Sequence, residues 1–507
     1  MTSAPEPQPG RSGGRLARAL VIVIALSIVA WIAPLARHRW IHAVLSFDAI
    51  PSAPVELPAS RGVQLTPTPH VRVILIDGLS ASVAADLPNW RAVCARGAQL
   101  VIDVGFPTVS LPVEAELWSG LTQQQSGIVF RSDMPLIPPL HATPSAVPDS
   151  RAVAEDHGWI VRSLGFAHTE PLVDPTDVAK DDHVDDWHRV WLAHATAAVT
   201  SDAKLVFVHL LRVDTAGHRT GRESPLYQVA AGSADAILGE LVAAEPDARW
   251  FLLSDHGHTA SGGHGGEERE LRQVEGCIAG PGVPHVHGGP VHIVDIARSL
   301  ADSLGVTLVP ASRGRVFTAA LSAPLRPDQA VPVVPLQRGA LAIVIVVAGL
   351  ALSYLAARKW WLAPWWFVLG VICFIAVYGE PTLSMGIVWA PTGRAMYLTW
   401  LPALVLAMLA TWIGLRSTAT IRVVIAQLAL PCAVVAAAIT ASGSWPLVLG
   451  GDIAPIVPHV TAWLSPLVLI AAHGCAAVAL AVLARFVRWA FDRHSPPETP
   501  RSEPAAS

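Results

Sequence analysis

The sequence predicts an α/β domain, a mainly parallel sheet with helices on both faces, joined to an α-helical membrane bundle. Three observations predict it. Hydropathy is divided within one chain. Of 507 residues, 52% are hydrophobic and 15% charged, and mean hydropathy is +0.46. Yet residues 71–320 hold most of the His and acidic residues, and 339–484 are almost free of charge and rich in Trp. Second, short continuous apolar runs alternate with helix-like stretches through the polar part. Third, apolar runs of membrane-crossing length occur near the N-terminus and in the last third.

Residues 1–16 and 485–507 are rich in Pro, Ser, Gly and charge and read as disordered cytoplasmic tails. Ala17 to Ala36 is about long enough for one transmembrane anchor. Arg11, Arg15 and Arg18 before it also suit a cleaved signal peptide, but its length and the following Arg37-His38-Arg39 favour an uncleaved anchor. Residues 37–70 form a juxtamembrane linker, and 321–338 a Pro-rich one. The bundle, 339–484, offers five spans near 340–357, 361–379, 395–415, 422–442 and 460–483. With both termini inside, Arg358, Lys359, Arg416, Arg422, Arg485, Arg488 and Arg493 all fall in cytoplasmic loops, as the positive-inside rule asks. Trp360, Trp361, Trp365, Trp366, Trp389, Trp400 and Trp463 sit near span ends, as an aromatic belt would. The expectation is six spans in the cell membrane, with the domain 71–320 on the extracytoplasmic face.

The clearest strands in that domain are Val71–Ile76, Gln99–Val104, Lys204–Leu211 and Arg249–Leu253. Each is followed by a polar cluster: Asp77-Gly78, then Phe106-Pro107-Thr108-Val109-Ser110-Leu111-Pro112, then Asp214-Thr215-Ala216-Gly217-His218, then Ser254-Asp255-His256-Gly257 with Gly262-Gly263-His264-Gly265-Gly266. Ligands in open α/β sheets bind beyond the carboxyl ends of strands, so these clusters are expected to converge. Asp77, Asp214, Asp255, His218, His256 and His264 are ligands suited to Zn2+ or Mn2+. Six side chains are too many for one catalytic ion and fit two. Paired ions suit in-line displacement at phosphorus. Thr108 and Ser110 are the nucleophile candidates, a metal-bound hydroxyl being the activated form. Ser110 would lie just before a helix over Val113–Ser119, whose N-terminus favours a phosphate.

On these residues the domain resembles the alkaline phosphatase superfamily. It is similar to the type I phosphodiesterase/nucleotide pyrophosphatase branch and to glycosylphosphatidylinositol ethanolamine-phosphate transferases. F-P-T-V-S-L-P resembles the nucleophile motif, D-T-A-G-H the D-x-x-G-H motif, and S-D-H-G with G-G-H-G-G the last metal segments; V-D-I-A-R-S-L (294–300) resembles a late helix. The resemblance implies attack by Ser110 on a phosphodiester or phospholipid-like substrate through a covalent phospho-seryl enzyme. It implies one ion on Asp214, His218 and His264, and another on Asp77, Asp255, His256 and the Ser110 oxygen. There are departures. Val113-Glu114 replaces the Asn-His of nucleotide pyrophosphatases, Ser stands at 110 for the more usual Thr, and Ser126-Gly127-Ile128 replaces His-Gly-Ile. No sulfatase C-x-P-x-R motif is present.

Blander readings compete at each position. Asp77 could cap a helix. Thr108 reads better as a backbone-bonded turn residue than as the nucleophile. His258, His285 and His287 read as surface or supporting residues, with His287 a possible substitute for His264. Glu267 and Glu268 read as a solvated run, and Asp181, Asp182, His183, Asp185 and Asp186 as an exposed helix start or loop. A net charge of -4 argues against nucleic-acid binding. Five Cys without a C-x-x-C pair exclude a disulfide scaffold and a zinc ribbon. The expected function is a membrane-anchored phosphodiesterase or phosphotransferase. A head-group transferase of the phosphoethanolamine type and an inactive membrane binding module are the alternatives.

Overall fold

The structure is a computed structural model. Apart from a few isolated positions it describes residues 65–128, 142–170, 184–325, 336–378, 391–442 and 458–494. The expected anchor over 17–36, the tail 1–16, most of both linkers and the cluster 181–183 lie outside the described residues.

Eight strands form one sheet: β1 (Val71–Ile76), β2 (Gly97–Asp103), β3 (Arg151–Ala154), β4 (His168–Glu170), β5 (Leu205–Leu210), β6 (Arg249–Leu253), β7 (Gln273–Ala279) and β8 (Val286–His292). Their order is β4–β3–β5–β1–β6–β7–β2–β8. β7 runs antiparallel to both its neighbours, and the remaining pairs are parallel. The four strands expected from apolar runs are β1, β2, β5 and β6. The other four carry weaker signals: β3 and β4 are short, and β7 and β8 mix polar and glycine residues into their runs.

β1, β5 and β6 are buried along their whole length because helices cover both faces. One core packs the helices Ser110–Ser119 and Ile293–Leu304 against the sheet through Leu117, Trp118, Ile296 and Leu300. The other uses Pro88–Cys94, Val184–Val199 and Pro225–Ala244 through Trp90, Trp191 and Leu238. Register then decides where the chemistry falls. Leu75 pairs with His209 and with Leu253, so the carboxyl ends of β5, β1 and β6 are level. The residues just beyond them share one edge of the sheet.

Cys94, at the end of its helix, is bonded to Cys277 in β7, with Cα atoms 5.4 Å apart. Cysteine spacing gave no hint of this bridge, because the two residues stand 183 positions apart.

Beyond the domain, helices span Leu336–Ala357, Trp365–Tyr378, Pro391–Ser417, Thr420–Ser442 and Pro458–His494, close to the five expected. Three segments, Leu336–Ala357, Thr420–Ala441 and Pro466–Arg485, are long and apolar enough to cross a membrane; Trp365–Ala376 and Ala403–Arg416 are shorter apolar helices. Leu341, Ile343, Val344, Val347 and Leu355 are exposed on the first of these, a face that suits lipid. Small residues allow the helices to approach closely. A Cβ on Gly349 would meet Ala433, and one on Gly474 would meet the Trp366 ring. Ser353 Oγ donates to the Ala426 carbonyl.

Candidate metal centre

Asp77 follows β1 directly and is fully buried. Gly78 has a φ of 72°, the left-handed region that glycine enters without cost, and it turns the chain back over the site. Its amide donates to Asp255 Oδ1 (3.0 Å), tying the β1 turn to the β6 turn. Tyr227 holds the same turn: its hydroxyl donates to the Gly78 carbonyl and accepts from the Ser80 amide (2.8 Å).

Ser110 opens the helix Ser110–Ser119, slightly earlier than the expected start at Val113. Ser110 Oγ lies 3.4 Å from Asp77 Oδ1 and 3.3 Å from His256 Nε2. His256 Nε2 is in turn 3.4 Å from Asp77 Oδ1 and 3.3 Å from Asp255 Oδ2. Thus Asp77, Asp255, His256 and Ser110 face one point.

The second group stands beside it. Asp214 and His218 lie on the helix Arg212–Thr220, four residues apart and so on one face. Asp214 Oδ1 is 3.4 Å from His218 Nε2 and 3.5 Å from His264 Nε2. The two imidazole Nε2 atoms are 3.1 Å apart. The rings of His256 and His264 stack with centroids 3.7 Å apart, so the two groups adjoin. His218 alone is exposed, which opens the centre to solvent on that side.

These residues fit metal ions. Ligands 2.0–2.1 Å from a tetrahedral ion stand about 3.3 Å from one another, and the separations above cluster there. The tautomers agree as well. His264 Nδ1 faces the Thr108 carbonyl at 2.8 Å and His256 Nδ1 faces the Gly257 carbonyl at 3.0 Å. Protons on those nitrogens leave both Nε2 lone pairs for an ion. The electrostatics asks for cations. Burial, then Asp255 and Asp214, push Asp77 well above the usual carboxylate range. Burial pushes Asp255 up to about 6 and His256 down to about 3. His264 is held well below the usual imidazole value by burial and then by His256. For Asp214 burial is outweighed by His258, His218 and His264, which hold it well below its ordinary value.

All eight residues singled out from the sequence therefore lie in or against one centre, with Thr108 as the strap. Its hydroxyl donates to the Gly266 carbonyl (2.9 Å) and accepts from the Gly265 amide (2.9 Å), joining the nucleophile loop to the glycine loop. Other expectations change. Of the two readings of His258, surface or supporting, the structure takes the second: it is fully buried, with Nε2 2.9 Å from Asp214 Oδ1. His287 is exposed on β8 opposite Gln99, while His264 occupies the centre. Glu268 is half-buried, not part of a solvated run, and accepts a 2.9 Å hydrogen bond from Ser384, which lies between two apolar helices. Sequence reasoning passed over His209 and treated Glu114 only as a departure from a motif. Both are fully buried beside Asp77. A lone His inside the apolar run of β5 was the signal available.

An α/β domain carrying adjoining Asp/His groups that could hold metal ions, beside a buried hydroxyl, is the class that fold and site define. Residues 150–272 match the family described as type I phosphodiesterase / nucleotide pyrophosphatase, in agreement with the motif resemblance to the alkaline phosphatase superfamily. No curated protein matches the chain. Similar solved structures include murine ectonucleotide pyrophosphatase / phosphodiesterase 5 in an inactive form with AMP. It is 15% identical, and the match covers 48% of this chain and 96% of that one, with a TM-score of 0.39. The human counterpart is 14% identical over 50% of this chain and 99% of that one, with a TM-score of 0.40. A protein in the alkaline phosphatase superfamily from Vibrio parahaemolyticus is 12% identical over 55% of this chain and 74% of that one, with a TM-score of 0.38.

Proposed function

We propose that this chain is a membrane-anchored, metal-dependent phosphodiesterase or phosphotransferase that works through a phospho-Ser110 intermediate. One observation carries the reading: the Ser110 hydroxyl faces Asp77 and His256 at ligand spacing, at the start of a helix and beside a second Asp/His group. Asp77, Asp255, His256 and Ser110 would hold one divalent ion, and Asp214, His218 and His264 the other, Zn2+ or Mn2+ by donor type. When bound, the ions lower the hydroxyl pKa and neutralise charge on the phosphoryl oxygens.

The chain's own part is then defined. Ser110 Oγ attacks phosphorus, one P–O ester bond breaks, and the alcohol leaves with a proton. Water or an acceptor alcohol next attacks the phospho-serine, and Ser110 recovers its proton. Free amides at the start of the helix Ser110–Ser119 face the phosphate, a role the motif's missing Asn leaves open. Thr108 and His258 act as braces, through Gly265, Gly266 and Asp214.

The domain boundaries are taken as 71–320 for the catalytic part and 339–484 for the bundle, with both termini cytoplasmic. The Cys94–Cys277 bridge supports an extracytoplasmic catalytic domain, since such bonds persist in oxidising compartments. The second reading, head-group transfer from a lipid donor, is favoured by the bond between Ser384 and Glu268. Glu268 lies two residues from Gly266, which the nucleophile loop grips through Thr108. This contact supports a substrate drawn from the lipid surface.

The test is turnover of bis-p-nitrophenyl phosphate and p-nitrophenyl phosphate by detergent-purified protein, alongside its metal content. Turnover favouring the diester and abolished in Ser110→Ala and Asp255→Ala supports the reading. Bound metal without turnover directs the search to lipid donors and acceptor alcohols. No metal and no turnover would refute it.

A further inference from the structure

We propose that Glu155 is a positioning residue for the group Asp214, His218 and His264: it caps the helix that carries Asp214 and so frees that carboxylate for an ion. The helix Arg212–Thr220 brings two of the three side chains, and its first turn is awkward. Its N-cap is Leu211, with no side-chain cap bond, at a position where side chains with an acceptor oxygen are preferred. Asp214 stands at the third helical position, from which an acidic side chain can fold back onto the N-cap amide. Asp295 does this at the start of the helix Ile293–Leu304, accepting from the His292 amide at 3.1 Å. Asp214 does not. Its Oδ1 faces His218, His258 and His264 instead.

Glu155 supplies what Asp214 withholds. It follows β3, and its amide donates to the His209 carbonyl (2.9 Å), which ties this strand end to that of β5. Its Oε2 accepts from the Leu211 amide at 3.0 Å and from the Arg212 amide at 3.1 Å. Its Oε1 accepts from Arg212 Nε at 2.7 Å and from Arg212 Nη2. Arg212 Nη1 in turn donates to Ser233 on the helix Pro225–Ala244. One carboxylate thus satisfies the exposed amides of the first turn, complements the positive end of the helix dipole and fixes the helix to its neighbours.

The consequence falls on Asp214. Without Glu155 the Leu211 amide lacks its acceptor, and the nearest carboxylate in sequence is Asp214. A turn of that side chain towards the amide draws Oδ1 away from His218 and His264. The other group, Asp77, Asp255, His256 and Ser110, has no residue on this helix and is untouched by the change.

The inference rests on the proposed metal reading, and its test separates the two. Full-length protein in detergent is stripped by chelator, and Zn2+ is titrated into two parents. Asp255→Ala keeps the Asp214 group intact, and Asp214→Ala keeps the other. Glu155→Ala is added to each, with near-ultraviolet circular dichroism as a check on folding. The expected result is Zn2+ binding weakened by about 10-fold to 100-fold in the Asp255→Ala parent, the range usual for residues that orient metal ligands, and unchanged in the Asp214→Ala parent. Equal weakening in both would make Glu155 a general structural residue and overturn the inference. Unweakened binding in the Asp255→Ala parent would overturn it too, with the metal reading left standing. No Zn2+ bound by either parent or by wild type would overturn both. If Glu155→Ala unfolds the protein, Glu155→Asp, one carbon too short to reach the amides, takes its place in the same comparison.

Discussion

Gly217, the glycine of D-T-A-G-H, gives the sharpest prediction. It lies inside the helix Arg212–Thr220, where Ala is ordinarily the better residue by about 1 kcal/mol. Here a Cβ would stand 2.5 Å from His258 Cδ2 and Nε2 and 2.6 Å from Cγ. Carbon contacts are comfortable near 3.5 Å, so the ring must withdraw by about 1 Å. The ring is fully buried and held at both nitrogens, by Asp214 Oδ1 at 2.9 Å and by the Gly263 amide at 3.2 Å. Withdrawal stretches the first bond beyond hydrogen-bond range. A bond to a charged partner contributes about 1.5–3 kcal/mol. Less the helix gain, Gly217→Ala should cost about 0.5–2 kcal/mol. The effect on turnover is larger, because Asp214 loses the imidazole that orients it; displacements near 1 Å at such sites cost about 100-fold. Thermal melts and Ser110-dependent hydrolysis of bis-p-nitrophenyl phosphate measure the two. Gly232→Ala is the control: it is exposed on the helix Pro225–Ala244 with no atom within 4 Å of an added Cβ, and should be neutral or slightly stabilising. Wild-type melting, metal content and turnover in Gly217→Ala would refute the reasoning.

Other substitutions and conditions carry their own expectations. Replacing Cys94 with Ser releases a constraint between residues 183 positions apart, and loop entropy puts the loss near 5 kcal/mol, read as a lower denaturation midpoint. Tyr227→Phe strands the Gly78 carbonyl and the Ser80 amide, at a cost of about 1–3 kcal/mol in the same assay. Asp255, raised to about 6 chiefly by burial, keeps its proton in the metal-free protein below that pH. Ions must displace that proton, so metal retention should weaken as pH falls through about 6, measured by elemental analysis after dialysis. The sign for stability is opposite. The metal-free folded state binds this proton more tightly than the unfolded chain, so the Asp255 contribution falls as pH rises from about 3.8 through about 6. Gly474→Val in the bundle would drive a side chain into the Trp366 ring and should lower the yield of detergent-stable protein.

The candidate centre was legible in the chain because its residues are local signals. Asp77, Asp214, Asp255 and His256 each follow a continuous apolar strand, and a strand end is a position that hydropathy alone marks. His264 is set off by its glycines. The apolar runs of the bundle were legible for the same reason, since length and hydropathy are one-dimensional quantities. Only the tertiary structure could decide what depends on distance across the sheet. The parallel register of β5, β1 and β6 makes the three strand ends level and turns four separate motifs into one site. Antiparallel β7 carries Cys277 to Cys94 across 183 positions of sequence. His209 and Glu114 read as a core histidine and a motif departure until the fold sets them against the inner face of Asp77. Sequence names the residue types and the strand ends, whereas pairings between distant segments arise from packing, which no local pattern encodes.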